Sequence, residues 1–128
     1  LAIAEMIQGG TTLFSDNYFF TEQVGNATIQ AGMRAQLCPT ILSMETAWAK
    51  TTDDYLARAV DTHHHFKSSP LVDGILGPHS PYVLSDQDLE KVVIKADELD
   101  CMIQMHVHET ADEIAGSLEQ SCLWTEAS

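Results

Sequence analysis

Apolar and polar positions alternate along this chain in two periods, one near 3.6 residues and one of two, and the change between them marks out the elements. Residues 2–7 are helical in character and stop at Gly9-Gly10, a natural helix end. Residues 11–15 are rich in β-formers and end at Asp16, which predicts a strand. Phe20, Val24, Ala27 and Ile29, with polar residues between them and Gly32 after, predict a helix over about 21–31. Residues 34–42 read as a second strand with Pro39 near its end, and 43–50 as a loop or short turn holding Trp48. Thr51-Thr52-Asp53-Asp54 is a helix start with acidic residues at the positive end of the dipole. That helix carries Tyr55, Leu56, Ala59 and Val60 and runs to about Phe66, where Ser68-Ser69-Pro70 breaks it.

Residues 71–76 predict a third strand, with 77–82 as its mouth. Ser85, with Asp88 three residues on, opens a helix whose apolar face is Leu89, Val92, Val93, Ala96 and Leu99. In the next stretch Ile103, Met105 and Val107 alternate with Gln104, His106 and His108, the period of a strand. A last helix is expected from Ala111 to about Glu119. The order is α-β-α-β-α-β-α-β-α, the grammar of an α/β protein, with strand-to-helix units of roughly 25–35 residues that suit repeated parallel crossovers.

Composition narrows the class. The chain has 128 residues, 45% hydrophobic and 20% charged, enough for one ordinary globular domain. Its formal net charge of -13 and pI near 4.5 argue against nucleic acid or an anionic membrane as partners, since both need basic surface. No apolar run approaches the length of a membrane span, and no signal-peptide pattern is present. Cys38, Cys101 and Cys122 are scattered and odd in number, so neither a disulfide framework nor a thiolate zinc site is suggested, and a reducing cytoplasm is the expected location. The first residues read as the back half of a helix without a cap, and 122–128 have no clear period, so the chain is expected to be a piece of a longer one.

In parallel α/β folds reactive residues sit at the carboxyl ends of strands. His106 and Glu109 are placed there, and His79 falls 27 positions before His106 at the equivalent point of the preceding unit. Both histidines should therefore point from one rim. Histidine is the commonest zinc ligand and a nearby glutamate can carry a proton, although a strand-end histidine also serves as a hydrogen-bonded structural residue. The spacing is not the helical pair of a His-Glu-x-x-His metalloprotease.

Several segments together resemble the amidohydrolase superfamily, in the branch of the 5-methylthioadenosine/S-adenosylhomocysteine deaminases, guanine deaminases and triazine chlorohydrolases. They are Gly9-Gly10-Thr11-Thr12, Phe14-Ser15-Asp16, Tyr18-Phe19-Phe20, Ala31-Gly32-Met33-Arg34-Ala35 and Thr46-Ala47-Trp48-Ala49. The two most specific are Gly77-Pro78-His79-Ser80-Pro81-Tyr82 and His106-Val107-His108-Glu109-Thr110. The resemblance covers residues 1–120 and implies the central part of a (β/α)8 catalytic barrel, about strands two to five: four parallel strands with flanking helices. Residues 121–128 would be a divergent or truncated end.

The resemblance implies a metal-dependent hydrolase that acts on carbon–nitrogen bonds, other than peptide bonds, in cyclic amidines. Its reaction would be deamination of an aminopurine nucleoside such as 5-methylthioadenosine or S-adenosylhomocysteine. His106 would be a metal ligand, Glu109 would move protons between the metal-bound water and the leaving nitrogen, and His79 would contact substrate. The cofactor would be zinc, or another divalent metal such as iron, at one ion per full-length subunit. The expected partners are a small-molecule substrate and further copies of the chain. The other ligands of the family's set fall before Leu1 and beyond Ser128, leaving one of four here. The substrate-binding arginines that thioadenosine deaminases carry after the third strand are absent from Cys38-Pro39-Thr40 and Ala47-Trp48-Ala49-Lys50. The alternatives are a chlorohydrolase or a guanine- or cytosine-type deaminase of the same superfamily, or a non-catalytic structural piece.

Other polar residues have plainer readings. Asp16 is expected to lie at the same end of the sheet as His79, His106 and Glu109, where it caps a loop, and His63-His64-His65 to lie on a solvated helix face. Trp48 either lines the substrate mouth or covers the rim. His108 is expected to support the site rather than bind metal, and Met102 and Met105 to fill core. Glu22, Asp53, Asp54 and Asp112 are helix-start charges. Arg34 is expected to anchor its strand electrostatically.

Overall fold

Pro39 and the Ile75-Leu76 pair each cut one extended pass of the chain into two short strands. The computed structural model describes the backbone of residues 1–125 and side chains through Glu119; residues 126–128, within the expected divergent end, lie outside the described residues. In chain order the elements are α1 (Ala2–Gln8), β1 (Leu13–Asp16), α2 (Thr21–Ala31), β2 (Arg34–Leu37), β3 (Thr40–Ile41), α3 (Thr52–Phe66), β4 (Val72–Gly74), β5 (Gly77–Pro78), α4 (Asp86–Leu99) and α5 (Ala111–Thr125).

All pairings are parallel. β1, β2 and β4 form one sheet in which Asp16 stands opposite Leu37 and Leu37 opposite Gly74. β3 and β5 form a second, with Thr40 opposite Gly77 and Ile41 opposite Pro78. The second continues the first. Ile75 N donates to Leu37 O at 2.9 Å and Thr40 N to Tyr18 O at 3.1 Å across the join. The expected single strand over 34–42 is thus two strands, because Pro39 has no N–H for the ladder. Of the expected strand over 71–76 only β4 forms, and β5 falls in the stretch expected to be its mouth.

The fourth expected strand is a single parallel bridge, Leu76 to Ile103. Its backbone still follows β5: Leu76 N donates to Met102 O at 3.0 Å, Gln104 N to Leu76 O at 3.0 Å, and His106 N to His79 O at 2.9 Å. The pass stops where His108 turns into the left-handed region at φ 55°. The architecture is therefore a run of parallel passes with helices between them, as the pattern predicts and as the partial (β/α) barrel implied by the resemblance requires.

The helices cover one face of this sheet. Thr51 opens α3 with a reciprocal cap: its Oγ1 accepts from Asp54 N, and Asp54 Oδ2 accepts from Thr51 N, both at 3.2 Å. Ile41, Tyr55, Ala59 and Leu76 are wholly buried between sheet and helices, with Val92 of α4 beside them. A second cluster joins Ala35, Leu37 and Val72 to Phe66.

Some expected faces are rotated. On α2 the buried residues are Thr21, Gly25 and Thr28, whereas Phe20, Ala27 and Ile29 are exposed. The cause is Phe66, whose ring lies where a Cβ on Gly25 would be, so the helix approaches on its smallest residues. Thr21 and Thr62 share a buried hydroxyl bond of 2.9 Å between α2 and α3. On α4 Val92 and Ala96 are buried, but Val93 is half exposed. His63 is not on a solvated face: it is 8% exposed, with Nδ1 against Gly74 O at 2.8 Å. Arg34 meets a carbonyl and not a carboxylate, donating Nε to Thr12 O at 3.2 Å. α5 runs to Thr125, beyond the expected end at Glu119. Among the described residues no helix is long and apolar enough to cross a membrane.

Candidate active site

The carboxyl ends of β5 and of the fourth pass lie side by side. β5 delivers His79 into a turn where Ser80, wholly buried, accepts backbone N–H bonds from Val83 and Leu84 through its carbonyl. The Ser80 hydroxyl also lies 2.9 Å from His79 Nδ1, which fixes the ring. The backbone bond from His106 N to His79 O then sets the two imidazoles edge to face, with centroids 5.2 Å apart. Tyr82 completes the turn, its ring 6.1 Å from that of His79. The Tyr82 hydroxyl donates to Glu109 Oε2 at 2.8 Å, and this bond is the largest cause that raises the Tyr82 pKa above the usual phenol value. His79, His106, Tyr82 and Glu109 therefore converge at one rim.

Asp16 does not join them. Successive residues of a strand face opposite sides. Ser15 faces the inner side, where its hydroxyl donates to Gln104 Oε1 at 2.5 Å, so Asp16 faces the helices, and burial raises its pKa. Trp48 covers the rim: its ring meets Phe20 edge-on at 5.0 Å and lies under the Arg58 guanidinium at 4.7 Å. His108 is exposed, in the turn between His106 and Glu109.

Beside His79 opens an apolar cavity of about 410 Å³ walled by Tyr18, Phe19, Leu42, Met44 and Tyr82. Sequence reasoning did not place it, because its walls come from three separate loops.

Two further residues escaped the sequence reading. Gln104 lies on the same side of its pass as His106, and Cys38 Sγ sits 3.5 Å from its Oε1. Burial pushes the Cys38 thiol up. Glu113 is 8% exposed, and its carboxylate accepts from His108 N at 3.2 Å and Glu109 N at 2.5 Å. Its own N–H donates to Thr110 Oγ1 at 3.1 Å. The signal was legible: Thr110-x-x-Glu113 is the Thr-x-x-Glu pattern of a helix start.

No three His, Cys, Asp or Glu side chains converge on a metal-sized site among the described residues. His106 fits as one ligand of such a site. It is exposed, and its ring nitrogens have no hydrogen-bond partner among the described residues. A catalytic zinc takes three or four protein groups, so His106 alone does not make the centre.

The profile of the amidohydrolase family matches residues 1–120. The 5-methylthioadenosine/S-adenosylhomocysteine deaminase of Teredinibacter turnerae is 42% identical over 120 residues, which is 94% of this chain and 27% of that protein. The 5'-deoxyadenosine deaminase of Methanothermobacter thermautotrophicus is 33% identical over 115 residues, 90% of this chain and 27% of that one. Among solved structures, an adenosine deaminase from Xanthomonas campestris with bound zinc superposes with a TM-score of 0.88 at 42% identity, over 93% of this chain and 27% of its own. A triazine hydrolase from Arthobacter aurescens superposes with a TM-score of 0.75 at 15% identity, over 86% of this chain and 28% of its own, a likeness of fold alone. The chain thus spans about a quarter of the length of the curated relatives it matches.

Proposed function

This chain belongs to the amidohydrolase family, and on that premise we propose that it forms part of a metal-dependent hydrolase that deaminates an aminopurine nucleoside. 5-Methylthioadenosine and S-adenosylhomocysteine are the substrates favoured, because the relatives at 42% identity are named for them. The observation that carries the reading is the convergence of His106 and Glu109, with His79 and Tyr82 between them, beside a cavity of nucleoside-fragment size. The chlorohydrolase alternative has only the shared fold behind it.

His106 is the ligand this chain supplies to one divalent cation, zinc being favoured by the relative with bound zinc. When bound, the cation lowers the pKa of a water toward neutrality. Glu109 takes a proton from the attacking water and delivers it to the nitrogen that leaves as ammonia, while the ring carbon exchanges its amino group for oxygen. A carboxylate can do both in sequence; an amide can do neither. Ser80 holds His79 through Nδ1, which leaves Nε2 for a substrate heteroatom. The chain by itself is expected to hold zinc weakly and to be inactive. The free thiols of Cys38 and Cys101 suit a reducing cytoplasm.

The test uses the full-length enzyme. Glu109→Gln should lower kcat by roughly 10²–10⁴-fold with metal content near normal. His106→Ala should lose metal and activity together. Wild-type kcat in Glu109→Gln, or loss of metal from it, removes the role assigned to Glu109.

A further inference from the structure

We propose that Glu113 is a positioning residue for the proposed reaction: its buried carboxylate sets the turn that carries Glu109 onto the rim. The inference rests on the reading of Glu109 as the proton carrier.

A carboxylate as buried as Glu113 needs partners, and here both are backbone amides. In an ordinary capping box the glutamate reaches back to the N–H of the cap residue itself. Thr110 is that residue, since its Oγ1 accepts from Glu113 N. The Glu113 oxygens instead go past it to His108 N and Glu109 N. These are the two amides that fix where Glu109 starts.

The backbone there is not one the chain adopts freely. His108 has φ 55°, a left-handed conformation disfavoured for any residue with a Cβ. Through that turn the chain leaves the line of the fourth pass, and the Glu109 side chain reaches the Tyr82 hydroxyl. Glu113 holds the backbone of Glu109 and Tyr82 holds its carboxylate. A carboxylate can serve both amides. A glutamine offers one acceptor and turns an NH₂ toward the second amide, and an alanine serves neither. The role is therefore specific to the charge and shape of Glu113, beyond starting α5.

The experiment compares full-length Glu113→Ala, Glu113→Gln, Glu109→Gln and the double variant Glu113→Ala/His108→Gly with 5-methylthioadenosine as substrate. It reads kcat, KM, bound metal and hydrogen exchange at the His108 and Glu109 amides. Glu113→Ala should lower kcat about ten- to a hundredfold, the scale of an ångström-sized misplacement. KM and metal content should stay near wild type, and both amides should exchange faster. Glu113→Gln should fall between and serves if the alanine variant does not fold. Glycine at 108 takes a positive φ without strain, so the double variant should regain part of the lost kcat. The proposal is overturned if Glu113→Ala and Glu113→Gln keep wild-type kcat while Glu109→Gln loses it. It is equally overturned if kcat and metal fall together, or if amide exchange is unchanged. Wild-type kcat in Glu109→Gln overturns the underlying reading first, and the exchange data then stand apart from it.

Discussion

The hydroxyl of Tyr82 donates to Oε2 of Glu109 at 2.8 Å, a bond that joins the turn after β5 to the segment after His106. The carboxylate favours the protonated phenol, and this is the largest cause raising the Tyr82 pKa. The sign follows directly. The neutral phenol is the bonded form, so the interaction is complete below the ordinary tyrosine range near pH 10 and is lost as pH rises through the raised value. Spectrophotometric titration should show one tyrosine ionising late, absent in Tyr82→Phe. Glu109→Gln should bring that transition down toward the ordinary range. A titration that Glu109→Gln leaves in place would mean that the bond does not persist in solution.

The 128-residue chain should self-associate. Among the described residues β1 pairs on one side only, and the fourth pass pairs only with the Leu76–His79 stretch. Unpaired strand edges recruit other chains. Apolar side chains lie along both: Leu13 is 48% exposed, Met102 53% and Val107 57%. Sedimentation should show dimers or larger species that grow with concentration. A monodisperse monomer with a cooperative melt would count against this account of the edges.

The helices and the rim were legible in the sequence because their signals are local. Thr51 with Asp54 and Ser85 with Asp88 announce their helices, and both caps form. His79 and His106 could be placed on one rim because each follows a strand signal at the same phase. The burial of His63 was not legible. A run of three histidines on a helix looks solvated, and only the approach of Gly74 across the sheet buries the first. The buried face of α2 failed for a similar reason: the ring of Phe66, from another helix, decides which residues of α2 face inward. Asp16 was a matter of parity. One residue along β1 separates it from Ser15, and that step puts it on the other face of the sheet.

Two glycines give the sharpest test of the packing, because different kinds of atom occupy the space a Cβ would take. At Gly25 a Cβ would lie 2.2 Å from Phe66 Cζ, the tip of a side chain. The ring is only 2% exposed and has little room to swing, so Gly25→Ala should cost about 1–3 kcal/mol of packing. About 1 kcal/mol returns from the better helix propensity of alanine. At Gly74 a Cβ would lie 2.8 Å from His63 Cα and 2.9 Å from His63 N, which are backbone atoms of α3. No rotamer change relieves that contact. The whole turn of α3 must back away from β4, and the His63 Nδ1 bond to Gly74 O at 2.8 Å must lengthen with it. No helix propensity offsets the cost, since Gly74 ends a strand. Gly74→Ala should therefore destabilise by about 3 kcal/mol or more, above the usual range for overpacking. Urea midpoints measured side by side should fall in the order wild type, Gly25→Ala, Gly74→Ala, with unchanged slopes. A reversed order, or a Gly74→Ala midpoint equal to wild type, would show that α3 does not press on β4 as closely as this packing requires.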